Sequence, residues 1–187
     1  MTEAGSVDGA VVFTDLVGFT EFTDALGDQA ALDLLERQIE IVREELRAAG
    51  DGRVVKELGD GLMLWFSSAA AAVVAARSIR DRLCLARMQG FPLAVRVGVH
   101  SGPAMQRGDD VIGHTVNVAS RIADTAGPDE VLVSEETLRA LASERITSHP
   151  IGAVYVKGVA EPVWLSRLPD AERETGCSAP DQDASDR

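Results

Sequence analysis

The sequence predicts an α+β fold: a ferredoxin-like β-α-β-β-α-β core extended to a mixed sheet, with helices packed on one face. Three observations carry this. Apolar runs of strand length alternate with amphipathic runs of helix length from residue 9 to residue 168. Two of the strand runs, in VVKELGDGLMLWF, are joined only by Gly59-Asp60, a tight hairpin signal. No apolar run approaches the ~20 residues that a membrane-crossing helix needs.

GAVVFTD, residues 9–15, is apolar on both faces and reads as a central strand. Residues 19–26 read as a short helix. A long amphipathic helix follows at 28–48, with Leu32, Leu35, Ile39, Val42 and Leu46 three or four apart, and Gly50 and Gly52 stop it. The hairpin at 54–66 supplies two strands. Residues 69–88, opening with AAAAVVAA, form a buried helix ended by Gly90 and Pro92. LAVRVGVHSG is a strand closing on Ser101-Gly102-Pro103, and a glycine-bearing loop follows. Then come a helix near 114–126, the short strand EVLV and a helix opened by Ser134. AVYVKG and VWLSRL are the last two strands. Residues 1–6 form a lead and 7–168 one domain. Residues 169–187, acidic and without periodicity or large apolar residues, are expected to be disordered.

Formal net charge is −12 over 187 residues, of which the segment from Pro169 carries −4. A chain this acidic is a poor nonspecific partner for nucleic acid or an anionic membrane, so neither is expected. A phosphate-rich ligand would need local basic residues or metal cations. The N-terminus MTEAGSVDGA has no basic start and no apolar core, so no signal peptide is expected. Cys84 lies in a helical pattern and Cys177 in the polar tail, which predicts no structural disulfide and fits a reducing cytoplasm.

The chemistry-bearing residues sit at strand ends and turns. Asp15 ends the first strand and Asp60 lies in the hairpin turn. Singly, they read as a helix cap and a turn former. Together they read as a two-carboxylate Mg²⁺ site, because Mg²⁺ is commonly held by one or two carboxylates plus substrate phosphates. The loop from Leu16 through Val17, Gly18 and Phe19 to Thr20 would offer amides to phosphate oxygens. Lys56 shares a face with Val54 and Leu58 by alternation, a position usual for a snorkelling edge lysine. Asn117 and Arg121, i and i+4 in HTVNVASRIAD, share a helix face. They read either as donors aimed at phosphate or as an exposed face with Arg121 paired to Asp124. Arg96, inside an apolar strand, needs an anionic partner, either a ligand phosphate or a structural carboxylate. Lys157, in YVKG, is similar. His100 and His114 read as structural. The sequence holds no Cys/His zinc cluster, no phosphate-binding GxxxxGK[ST] loop and no GxSxG elbow.

FTDLVGFT, VVKELGDG, VRVGVHSG, GHTVNVASR and YVKG, in this order, resemble the class III nucleotidyl cyclase catalytic domains, the adenylate and guanylate cyclases. The resemblance runs from about Gly9 to Leu168 and points to the bacterial homodimeric adenylate cyclases. It implies that Asp15 and Asp60 hold two divalent cations, Mg²⁺ or Mn²⁺. It implies that Lys56 contacts the purine, that Asn117 orients the ribose and that Arg121 stabilises the transition state. Arg96 and Lys157 match positions that bind the distal phosphates. The purine-selecting aspartate, seven residues before Asn117, is Asp110, with Asp109 adjacent. Members of this kind build their sites across a dimer, so a full set on one chain implies a homodimer with two equivalent sites. Asp15 and Asp60 would come from one subunit, and Lys56, Asp110, Asn117 and Arg121 from the other.

The implied reaction is ATP to 3′,5′-cyclic AMP and pyrophosphate, by attack of the ribose 3′-oxygen on the α-phosphorus. Lysine only donates and ionised aspartate only accepts, so Lys56 with Asp110 complements adenine N1 and its 6-amino group and opposes guanine. The alternatives are a guanylate cyclase and a catalytically silent nucleotide-binding domain of the same fold. A diguanylate cyclase is disfavoured, because its GGDEF-type hairpin is replaced here by ELGDG. With the first strand so near the start, regulation is expected from expression, pH, small ligands or the acidic tail.

Overall fold

β1 (Gly5–Val17) runs through the middle of the sheet, and the other elements are placed by what they do to it. A computed structural model describes residues 5–141, 146–159 and 161–170 of the chain. After β1 come α1 (Phe19–Leu26), α2 (Asp28–Ala49), β2 (Arg53–Leu58), β3 (Gly61–Phe66) and α3 (Ala69–Met88). Then follow β4 (Ala94–Arg107), β5 (Asp110–Ile112), α4 (His114–Thr125), β6 (Val131–Ser134), α5 (Glu135–Ala140), β7 (His149–Val154) and β8 (Val163–Arg167). The sheet order is β2-β3-β1-β4-β6-β8-β7, with β5 hairpinned onto β4. Only β4 and β6 run parallel among the recorded pairs, so the sheet is mixed. The four strands β2-β3-β1-β4 with their helical crossovers are the expected ferredoxin-like core. No helix among the described residues is long and apolar enough to cross a membrane.

Alternation sorts the strand residues onto two faces. Ala10, Val12, Leu64, Phe66, Val97 and Val99 meet α2, α3 and α5 in the larger core. Val11, Met63 and Trp65 point the other way, toward Ala119 of α4. Val118 and Ile122 of α4 cover Leu132 and Leu165 on that same side. The expectation of helices on one face therefore holds for all but α4. Gly98 permits the exception: a Cβ there would lie 2.2 Å from the Ala123 nitrogen and 2.7 Å from the Ala119 carbonyl oxygen. The α4 backbone rests directly on β4.

Other departures from expectation have local causes. α2 buries Ala31, Leu34, Gln38, Ile41, Val42 and Leu46, while Leu32 is 54% exposed and Leu35 and Ile39 are only partly covered. Two stripes a position apart satisfy the same helical period, and packing selects the one containing Gln38. β4 does not close at Ser101-Gly102-Pro103. Pro103 pairs with Asp8 of β1, and the strand runs on to Arg107 before a turn at Gly108-Asp109 leads into β5. The expected loop is a hairpin arm. β7 ends at Val154, whose partner Val163 is the first residue of β8, so YVKG lies beyond the strand and Lys157 is in a turn. β1 begins at Gly5, inside the expected lead.

The lead residues 1–4 and the tail residues 171–187 lie outside the described residues. Just before the latter, Arg80, 2% exposed, donates from Nη2 to the Pro169 carbonyl at 3.1 Å and from Nη1 to the Asp170 carboxylate. The buried guanidinium thus fixes the end of the described chain against α3.

Substituting Gly98→Ala should destabilise the chain by about 3 kcal/mol or more, because the added methyl meets backbone that cannot rotate away. Urea unfolding of purified protein would measure this. A loss below about 1 kcal/mol would show that α4 can lift from the sheet at little cost.

Candidate active site

Asp15 lies one turn of the pleat beyond Phe13 on the face shared with α4, directly across the β1–β4 ladder from Arg96. Arg96 donates through Nε to Asp15 Oδ2 at 2.6 Å, and through Nη2 to the same oxygen. On the other side of β1, Gly61 of β3 leaves room: a Cβ there would lie 3.2 Å from the Thr14 carbonyl oxygen and 3.5 Å from Asp15 Oδ1. Just before Gly61 comes the two-residue turn, with Gly59 at φ 69° and Asp60 after it. That conformation suits glycine.

Asp60 therefore arrives beside Asp15. Burial raises the Asp60 pKa above its ordinary 3.8, and the negative charge of Asp15, with which it also shares a hydrogen bond, raises it further. Bonds from its own backbone amide and that of Leu16 oppose the shift. Two carboxylates in hydrogen-bond reach, with one guanidinium between them and the bulk of α4, form a donor set for a hard cation. The set is small: among the described residues no group of three or more His, Cys, Asp or Glu could hold a metal ion. Phosphate and water oxygens would have to complete an octahedron, the usual arrangement for Mg²⁺.

Gln38 is a member of this site that the sequence reading missed. Its side chain is buried in α2 at 1% exposure, and Nε2 donates to the Asp60 carbonyl at 3.1 Å. Its signal was a lone amide in the stripe Leu34, Gln38, Ile41, which a correct phase for α2 would have exposed.

Lys56 requires a correction. A bulge between Val54 and Lys56 inserts Val55 and shifts the register by one. Val54 faces Leu64 and the larger core, while Lys56 pairs with Met63 on the α4 side. Lys56 is thus on the face opposite Val54. There the β4–β5 arm folds across to meet it: Lys56 Nζ lies 2.9 Å from Asp110 Oδ2. The hydrogen bond from Lys56 holds the Asp110 carboxyl below the usual carboxylate range, against a smaller opposing effect of burial. Asp110 Oδ1 is buried, and the Val111 amide adds to the lowering. Asp109 is turned differently, its carbonyl accepting from Arg53 Nη1 at 2.6 Å.

Asn117 and Arg121 lie on the solvent side of α4, opposite the buried Val118, Ala119 and Ile122. Arg121 Nη1 donates to Asp124 Oδ2 at 2.8 Å, the i+3 pair weighed above. Asn117 has no side-chain partner among the described residues. Gly18, at φ 81°, caps α1, whose first-turn amides at Phe19 and Thr20 have no intrahelical acceptor. Val17 ends β1 beside them. Lys157 is exposed and has no partner among the described residues. His100 is structural: it is buried, Nδ1 lies 2.8 Å from Ser134 Oγ, and burial lowers its pKa so that the ring stays neutral. The structure therefore gathers Asp15, Asp60 and Arg96 in one cluster and Lys56 with Asp110 in another. It leaves Asn117, Arg121 and Lys157 facing outward.

Comparison with known proteins bears on what these clusters do. The family model described as the adenylate and guanylate cyclase catalytic domain matches residues 3–167. The chain is 36% identical over 166 residues to an adenylate cyclase of Streptomyces coelicolor, a match covering 85% of this chain and 42% of that protein. It is 31% identical over 183 residues to an uncharacterized protein of Mycobacterium tuberculosis, covering 98% of this chain and 47% of the other. The chain thus spans less than half the length of these curated relatives. Among solved structures, the adenylyl cyclase CyaB from P. aeruginosa superposes with a TM-score of 0.81 at 28% identity, covering 93% of this chain and all of the other.

The carboxylate pair makes a signed prediction. Asp60 holds its proton more tightly folded than unfolded, so between 3.8 and its raised value the folded state binds more protons, and stability falls as pH rises through that window. Asp60→Asn should abolish this slope in chelator and raise the neutral-pH melting temperature. It should also weaken Mg²⁺ or Mn²⁺ binding by at least about 100-fold, the upper end for losing a mere supporting partner. Melts across about pH 4 to 7, with calorimetric cation titration, test both. A variant less stable than the parent at neutral pH would contradict the repulsion.

Proposed function

The chain belongs to the adenylate and guanylate cyclase catalytic-domain family, and from that premise we propose that it converts ATP to 3′,5′-cyclic AMP and pyrophosphate at two equivalent sites shared across a homodimer. The observation that carries the choice of ATP is the Lys56–Asp110 pair. Lys56 presents a donor and Asp110 an acceptor carboxylate, held 2.9 Å apart on the α4 side of the sheet. Adenine offers an acceptor at N1 and a donor at its 6-amino group, which fills both. Guanine offers N1–H and O6 and would set donor against donor at Lys56.

Divalent cations held by Asp15 and Asp60 would supply acidity to the ribose 3′-hydroxyl and charge to offset the triphosphate. This chain's residues do the rest. Asn117, without a side-chain partner among the described residues, is available to fix the ribose so that the 3′-oxygen lines up with the α-phosphorus. Arg121 is tied only to Asp124, and both are roughly half exposed. Such a pair holds little free energy, so the guanidinium is available to charge growing on the α-phosphoryl oxygens as pyrophosphate departs. Arg96 occupies Asp15 in the free chain. Cation binding to Asp15 would release it toward the distal phosphates, with Lys157 and the β1–α1 junction at Val17, Gly18, Phe19 and Thr20 completing the cradle. The outward-facing Asn117 and Arg121 support a site completed by a second subunit. A substrate drawn from the nucleotide pool supports a cytoplasmic reaction.

Purified protein incubated with ATP or GTP and Mg²⁺ or Mn²⁺ should yield cyclic AMP as the dominant product. No cyclic nucleotide under any combination would sink the proposal, and preferential cyclic GMP would sink the base assignment. Asp110→Ala should lower kcat/KM for ATP by about 1–3 kcal/mol of lost pairing, about five- to 150-fold. Mixing inactive Asp15→Ala and Arg121→Ala chains should restore activity through mixed dimers with one intact site. Persistent inactivity of verified mixed dimers would count against shared sites.

A further inference from the structure

One groove reverses the chain's overall charge. It lies between the last turns of α2 and the start of β2, away from the Asp60 end of that strand, and has a volume of about 790 Å³. Arg43, Arg47 and Arg53 line it together with Trp65, and the one acid in the lining is Asp51. Asp51 is already committed: its carboxylate accepts from the Gly52 amide at 2.7 Å, the Ser67 hydroxyl at 3.1 Å and the Ser68 amide at 3.1 Å. Arg47 has no partner among the described residues. Arg43 meets Glu57 at 3.3 Å, with both side chains more than half exposed, so that pair is weak and exchangeable. Arg53 gives a hydrogen bond to the neutral Asp109 carbonyl and receives no charge in return. The C-terminal end of α2 contributes only about half a negative charge. Three guanidinium groups therefore outweigh the local negative charge, in a chain with 30 acids and 18 bases.

We propose that this groove is a second anion site, distinct from the carboxylate cluster, for a small phosphate-bearing molecule of multiple charge. Guanidinium groups match phosphate oxygens in geometry as well as sign, and the volume suits a small-molecule ligand. The groove is also mechanically connected to the purine pair. Arg53 grips the carbonyl of Asp109, whose neighbour Asp110 pairs with Lys56. An anion that engages Arg53 competes with that grip and resets the tip of the β4–β5 arm. This second part rests on the cyclase reading above; the site itself does not.

The test uses the full chain carrying Trp164→Phe, which leaves Trp65 as its only tryptophan. Pyrophosphate is titrated in excess chelator while Trp65 emission is recorded, with sodium chloride at matched ionic strength as the reference. The expected result is a saturable change absent with chloride. Its midpoint should rise at least tenfold in Arg47→Glu and stay unchanged in Lys157→Ala, which removes a cation proposed for the distal phosphates of the other site. No saturable change, an equal change with chloride, or an effect indifferent to Arg47→Glu overturns the site. For the coupling, inorganic phosphate should shift the KM for ATP in the parent and not in Arg53→Gln. Equal shifts in both overturn the coupling while the fluorescence result stands by itself. Because binding is read without turnover, an inactive enzyme would fail the function proposal and leave this one standing.

Discussion

Asp15 and Asp60 repel one another, and the fold holds them together regardless. The β1–β3 ladder places Gly61 against Thr14, the Gly59-Asp60 turn sits just before it, and Gln38 ties the turn's carbonyl to the core of α2. None of these contacts involves the carboxyl groups themselves. The backbone imposes the juxtaposition, and the raised proton affinity of Asp60 is its electrostatic consequence. A divalent cation entering between them would relieve that repulsion, so binding would recover free energy that folding spent. Arg96 partly offsets the repulsion in the free chain. Its place directly across the ladder from Asp15 is fixed by the same β1–β4 register that builds the sheet.

The second constraint is the close seat of α4. Gly98 brings the helix backbone onto β4, and burying Val118, Ala119 and Ile122 forces Asn117 and Arg121 outward. The β4–β5 arm packs beside it, with Val111 in the same small core as Ala119 and Trp65. Packing in that core thus decides both where the α4 donors point and where Asp110 arrives. A single layer of apolar contacts sets the geometry of both groups.

Much of this was legible in the sequence, and the gaps follow from particular residues. The Gly59-Asp60 hairpin was read because long apolar strands flank it. Gly108-Asp109 is the same dipeptide with the same positive φ at its glycine, yet it was read as loop. Pro103 and the brevity of β5 hid the pairing there. The phase of Lys56 was wrong because one inserted residue at Val55 inverts alternation, and a bulge of this kind leaves no composition signal. Gln38 was passed over because the stripe chosen for α2 was one position off. By contrast Asp15, Asp60, Asn117 and Arg121 are legible, since each is a polar residue late in an apolar strand, in a turn or on an exposed helix face, although β1 runs two residues past Asp15 to Val17.

The two halves of the site differ in readiness. Lys56 and Asp110 are already paired, so little side-chain entropy would remain to be lost if a purine edge docked there as proposed. Arg121 and Arg96 are instead parked on carboxylates, Asp124 and Asp15, and the Arg96 guanidinium also lies 3.5 Å from the Asp124 carbonyl. Both must leave those partners to serve a phosphate. Releasing Arg96 would be easiest once a cation had taken Asp15, whereas the half-exposed Arg121–Asp124 pair would need no such release. Under the proposed function, Arg96 would thereby couple cation binding at Asp15 to the freeing of a guanidinium for phosphate.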